Sequence, residues 1–74
     1  MLKKEIEIFK TNVEDENISE ELLSKIHTSF PHYSATFDLE DCDRILRIES
    51  RHKKVEIREV IAFLMNSGHK AEVL

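Results

Sequence analysis

A single cysteine among 74 residues denies this chain an internal disulfide, and also a cysteine-only metal site within one copy. Burial must therefore hold it together. A chain this short forms one domain, read here as residues 1–74, with a core built from the 41% of its residues that are hydrophobic. Charged residues make up 35%, yet the net charge is only −4, so both signs are interspersed over a soluble surface. Met1-Leu2-Lys3-Lys4-Glu5 lacks the apolar stretch of a signal peptide, and no run approaches the ~20 apolar residues of a membrane span. The expectation is a cytoplasmic domain without membrane association.

With one glycine and one proline, the boundaries come mainly from Asn, Asp and Ser. Lys3 to Val13 reads as a strand, with Ile6 and Ile8 on one face and Phe9, Thr11 and Val13 on the other. A strand apolar on both faces belongs in the middle of a sheet. Asn17 offers a helix N-cap with Glu20 as its capping-box partner. Ile18, Leu22, Ile26 and Phe30 then recur at helical spacing, widened by Leu23, over about three turns that end before Pro31. Tyr33, Ala35, Phe37 and Leu39 alternate with Ser34, Thr36, Asp38 and Glu40, the clearest strand in the chain. The polar turn Glu40-Asp41-Cys42-Asp43 leads to a strand in which Leu46 and Ile48 alternate with Ile45, Arg47 and Glu49, completing a hairpin. A basic connector, Arg51-His52-Lys53-Lys54, precedes a second helical stripe of Ile57, Val60, Ile61, Leu64 and Met65. Gly68 suits the left-handed residue after that helix, and Ala71 and Val73 form a short last strand.

Strand, helix, strand, strand, helix, strand is the order of two interleaved right-handed crossovers. It predicts an α+β, ferredoxin-like βαββαβ sandwich: a four-stranded antiparallel sheet of order 4-1-3-2 with two helices on one face. The predicted inward set is Phe9, Thr11, Val13, Leu22, Ile26, Phe30, Tyr33, Ala35, Phe37, Leu39, Leu46, Ile48, Val60, Ile61, Leu64, Ala71 and Val73.

Four segments, Phe9-Lys10-Thr11-Asn12-Val13, Phe37-Asp38-Leu39-Glu40-Asp41, Ile45-Leu46-Arg47-Ile48-Glu49 and Ser67-Gly68-His69-Lys70-Ala71, stand at intervals that resemble the heavy-metal-associated domain of copper chaperones and metal-pumping ATPases. The resemblance covers almost the whole chain. It implies a C-x-x-C loop after the first strand, where two thiolates grip soft copper or zinc beside a helix N-terminus. Here Asp15 stands in place of the first cysteine and Ile18 in place of the second. A hard carboxylate and an aliphatic group cannot replace that pair, so the chain looks like a degenerate member that kept the scaffold and lost the site.

A substitute zinc site from Asp15, Cys42 and His69 is the alternative, because the topology gathers these residues at one pole. The simpler account is that acidic residues complement a helix N-terminus while His69 and Cys42 are solvated; no metal and no cofactor is the expectation. Asp15, Asn17, Ser19 and Glu21 imitate the start of a calcium loop, but Glu20 stands where glycine is needed and Ile26 where a bidentate glutamate is needed. The basic connector lacks an aromatic sheet face beside it, which argues against nucleic acid. His27, His32 and the helix serines form no nucleophile–base pair, so no enzyme is expected. The open sheet face is the informative one: Ile6, Ile8 and Ile45 cluster on it, predicting a surface for a protein partner or for self-association. Lysine and glutamate stems folded over scattered isoleucines would be the bland alternative.

Overall fold

The computed structural model describes residues 4–51 and 53–74. Its elements are β1 (Glu5–Thr11), α1 (Glu16–Ser29), β2 (Tyr33–Asp38), β3 (Ile45–Ser50), α2 (Ile57–Asn66) and β4 (Ala71–Val73). The strands form one antiparallel sheet in the order β2-β3-β1-β4, so the strand that is apolar on both faces does run centrally. Among the described residues no helix is long and apolar enough to cross a membrane.

Register explains which side is dry. Tyr33, Ser50 and Glu5 share one row across β2, β3 and β1, followed by Ala35, Ile48 and Glu7, then Phe37, Leu46 and Phe9. Phe9, Tyr33, Ala35, Leu46 and Ile48 of this face join Leu22 and Ile26 of α1 and Val60 and Leu64 of α2 in one buried cluster. Both helices therefore cover the same side of the sheet, and alternation sends Ile6, Ile8, Ile45 and Arg47 to the other.

Several boundaries differ from the sequence expectation. β1 stops at Thr11, because the Thr11 hydroxyl accepts the Val13 N–H at 3.2 Å and turns the chain away from the ladder. Val13 is still buried, now from a loop. The cap of α1 is Asp15, not Asn17: Asp15 Oδ1 accepts the N–H groups of Asn17 (2.7 Å) and Ile18 (3.2 Å). A carboxylate facing the positive end of the helix satisfies two otherwise orphaned donors at once, which the Asn17 position could not do. The helix ends as expected, with the Phe30 N–H on Ile26 O at 2.7 Å just before Pro31.

α2 closes on Gly68, whose φ of 88° lies in the left-handed region. Its N–H donates to Met65 O (3.0 Å) and the next N–H, of His69, to Leu64 O (2.9 Å), the paired bonds of a Schellman ending. The expected inward set holds at its centre and loosens at its margins. Phe30, Phe37, Leu39, Ile61 and Ala71 are half-buried, and Val73 is 42% exposed because it lies at the rim, on a three-residue edge strand. Val55 and Ser50 are buried without having been foreseen, and Phe63 packs against the core from α2.

One aromatic group ties the helices together. Tyr33 stacks on Phe30 at 5.1 Å between ring centroids, and Phe30 meets Phe63 of α2 edge-on at 6.0 Å. The Tyr33 hydroxyl accepts the Glu56 N–H at 2.6 Å, serving the residue that opens α2 in place of a side-chain cap. Burial pushes the phenol above its ordinary value; the Glu56 N–H pulls it back, while the carboxylates of Glu56 and Glu59 add to the rise. A raised value in the folded state means that this stabilisation is complete below the free-phenol value of roughly 10 and disappears as pH climbs through the folded one. Tyr33 is the only tyrosine and there is no tryptophan, so phenolate absorbance reports this group alone. Its midpoint is expected above that of free tyrosine, with thermal stability falling over the same range; a midpoint at the free value contradicts this account.

Candidate functional site

The end of β1 is where distant segments converge. The Thr11 hydroxyl donates to Arg44 O at 2.6 Å and the Thr11 N–H donates to Asp43 O at 3.0 Å, fastening the β2–β3 turn. The next residue fastens the α2–β4 loop: Asn12 N–H donates to Lys70 O (3.3 Å) and Lys70 N–H to Asn12 Oδ1 (2.8 Å). Lys10 with Asp43 and Arg44 with Glu14 add ion pairs at 3.8 Å, exposed enough to contribute little. The pole that the topology predicts is thus built.

It does not bring together the alternative ligand set of Asp15, Cys42 and His69. Among the described residues, the one triplet of candidate metal-binding side chains whose ligand atoms all lie within 4.8 Å of one another is Asp41, Cys42 and Asp43. Asp15 and His69 are outside it. Those three are consecutive residues of a turn that has its own local reasons: Asp41 Oδ1 accepts the Asp43 N–H at 2.9 Å, and Asp41 O accepts the Arg44 N–H at 3.0 Å. Arg44 sits there at φ 48°, the only non-glycine residue with positive φ among those described. Asp15 is engaged as the α1 cap, and Ile18, three residues on, is 37% exposed and offers no donor atom. The residues at the C-x-x-C positions do not fit a soft metal.

The open sheet face combines aliphatic and charged side chains. Ile6 is 41% exposed, whereas Ile8 and Ile45 are half-buried. The pairing sets Ile6 opposite Glu49 and Ile8 opposite Arg47, so Ile45 meets Ile8 diagonally and not head-on. Glu49 bonds both Arg47 (3.1 Å) and Lys4 (3.4 Å) across this surface. No aromatic ring lies on it among the described residues, and Arg51, Lys53 and Lys54 of the connector are exposed, with His52 outside the described residues.

Two features escape a reading by sequence. His27 Nε2 accepts the Ala35 N–H at 3.2 Å, so a side chain from α1 meets one outward backbone group of β2. Between α2 and β4 runs a groove of about 450 Å³, lined by Ile61, Met65, Ala71, Lys10, Lys70 and Glu72 among others. Met65 is 65% exposed there, although it continues the apolar stripe of α2. A stripe longer than its three-residue strand partner was the available signal.

Thr11→Val keeps the shape and removes the hydroxyl, leaving Arg44 O and Val13 N–H without their partner. The expected loss in urea unfolding is about 1–3 kcal/mol. Asp15→Ala is expected to cost about 1 kcal/mol through the lost cap. A Thr11→Val protein as stable as the parent would show that the pole does not depend on this hydroxyl.

No known protein family matches the chain, and comparison with curated proteins and with solved structures gives no match either.

Proposed function

We propose that this chain is a ferredoxin-like domain of the heavy-metal-associated type that has lost its soft-metal site and works, without catalysis, as a protein-interaction module. The strand order β2-β3-β1-β4 agrees with the split crossover arrangement. The diversion of Asp15 into a helix cap supports loss of the metal site. A setting among metal-handling proteins rests on the sequence resemblance alone.

The observation that carries the reading is the aliphatic cluster of Ile6, Ile8 and Ile45 on the side of the sheet that neither helix covers. Its charged surround, Lys4, Arg47 and Glu49, is of mixed sign. That combination suits a protein surface with its own apolar centre and mixed polar rim, and suits neither a polyanion nor a membrane.

Ile8→Lys places a charge at the middle of the cluster and Ile8→Val preserves it. A partner captured by the parent and by Ile8→Val is expected to be lost by Ile8→Lys, with circular dichroism unchanged. Equal capture by all three proteins would remove the open face from consideration. Native mass spectrometry with zinc and with cuprous ion tests the other half. A stoichiometric complex that vanishes in His69→Ala or Cys42→Ser would replace this reading with a metal-binding one.

A further inference from the structure

The two edges of the sheet are treated differently. At the β2 edge the outward N–H groups of Tyr33 and Ala35 are met, by Phe30 O and His27 Nε2. At the other edge, β4 turns its even-numbered residues to β1: Leu74 N–H donates to Ile8 O (2.9 Å), Lys70 O accepts from Asn12, and Glu72 stands opposite Lys10. Because the bonding direction alternates along a strand, the N–H and C=O groups of Ala71 and Val73 point outward, where no strand lies among the described residues. Exposed apolar groups lie on both sides of this edge: Met65 (65%) in the groove between α2 and β4 and Val73 (42%) on the helix side, and Leu74 (64%) on the side of Ile8.

We infer that a second copy of this chain occupies this edge, pairing β4 with β4 in antiparallel fashion so that two four-stranded sheets become one. The charges select the register. With Ala71 opposite Ala71 of the second copy, Lys70 of each chain faces Glu72 of the other, two opposite-charge pairs generated by the twofold axis. The two Ala71 residues then exchange both backbone bonds, and each Val73 N–H reaches the other copy's His69 C=O. The His69 N–H is already spent on Leu64 O and is not required. The competing register, centred on Glu72, sets two like carboxylates directly opposite in the close, non-hydrogen-bonded pairing and is disfavoured. In the favoured register the second copy's Val73 lies opposite His69, next to the last turn of α2 that carries Met65, so exposed apolar groups of both copies cover one another. The backbone groups that pair here run along the sheet edge, bordering the open face on which Lys70 and Glu72 lie, and the inference does not depend on the function proposed for that face.

Sedimentation velocity of the full chain over a concentration series, with Lys70→Glu, Glu72→Lys and Ile8→Lys in parallel, tests it. The parent is expected to dimerise. Each charge variant turns both pairs repulsive and should raise the dissociation constant by about tenfold or more. An equimolar mixture of Lys70→Glu and Glu72→Lys restores both pairs and should recover the dimer, which a merely misfolded variant could not do. Ile8→Lys should dimerise as the parent does. A parent that stays monomeric throughout, single variants that associate like the parent, or a mixture that stays dissociated would each overturn the inference. Dimers lost in Ile8→Lys alone would transfer self-association to the open face.

Discussion

The hydroxyl of Thr11 is the point on which the arrangement of this small protein turns. It donates to Arg44 O, thirty-three positions away, and accepts from Val13, which ends the central strand and starts the approach to α1. Asn12 beside it exchanges bonds with Lys70, fifty-eight positions away. A chain without disulfides must close its long loops by burial and by bonds of this kind, and here they gather at one end of one strand. Because β1 lies between β3 and β4, a fastening there positions the hairpin turn and the approach to the last strand together.

Polar side chains at that same pole have structural tasks. The Asp15 carboxylate satisfies the first N–H groups of α1, Asp41 organises its own turn, and the His69 backbone closes α2. The two carboxylates start a helix and shape a turn, whereas the Cys42 thiol is free and exposed. Each commitment is local and modest, of about 1 kcal/mol.

Surface, by contrast, is distributed unevenly. One N–H of the β2 edge is met by a histidine from α1, one face is covered by both helices, and apolar side chains are left exposed on the face of Ile6, Ile8 and Ile45 and along β4. A domain of this size has few places to put its apolar residues, and most of the large ones that miss the core, Ile18 of α1 apart, lie along these two surfaces. They differ in kind: the face offers side chains interleaved with ion pairs, while the edge offers backbone groups flanked by charges of alternating sign.

Element types and strand order were legible because they follow from periodicity and from which strand is apolar on both faces. The alternation from Tyr33 to Leu39, the helical recurrence from Ile18 to Phe30 and the lone Gly68 each carry their local meaning wherever the chain goes. Cap choice, burial at the margins and the assembly of a site depend on distances between segments, which no local pattern encodes. Asn17 reads as the cap in the sequence, and the path leaving Thr11 decided for Asp15. Val73 and Met65 are as apolar as Leu64, but only packing shows that the sheet is too short at its β4 edge to cover them. The sequence by itself determined which elements form and in what order they lie, since these rest on short-range sterics and hydrophobic alternation. The tertiary structure decided which polar groups are consumed and which apolar ones are left over, because both are set by how segments far apart in the chain compete for the same partners.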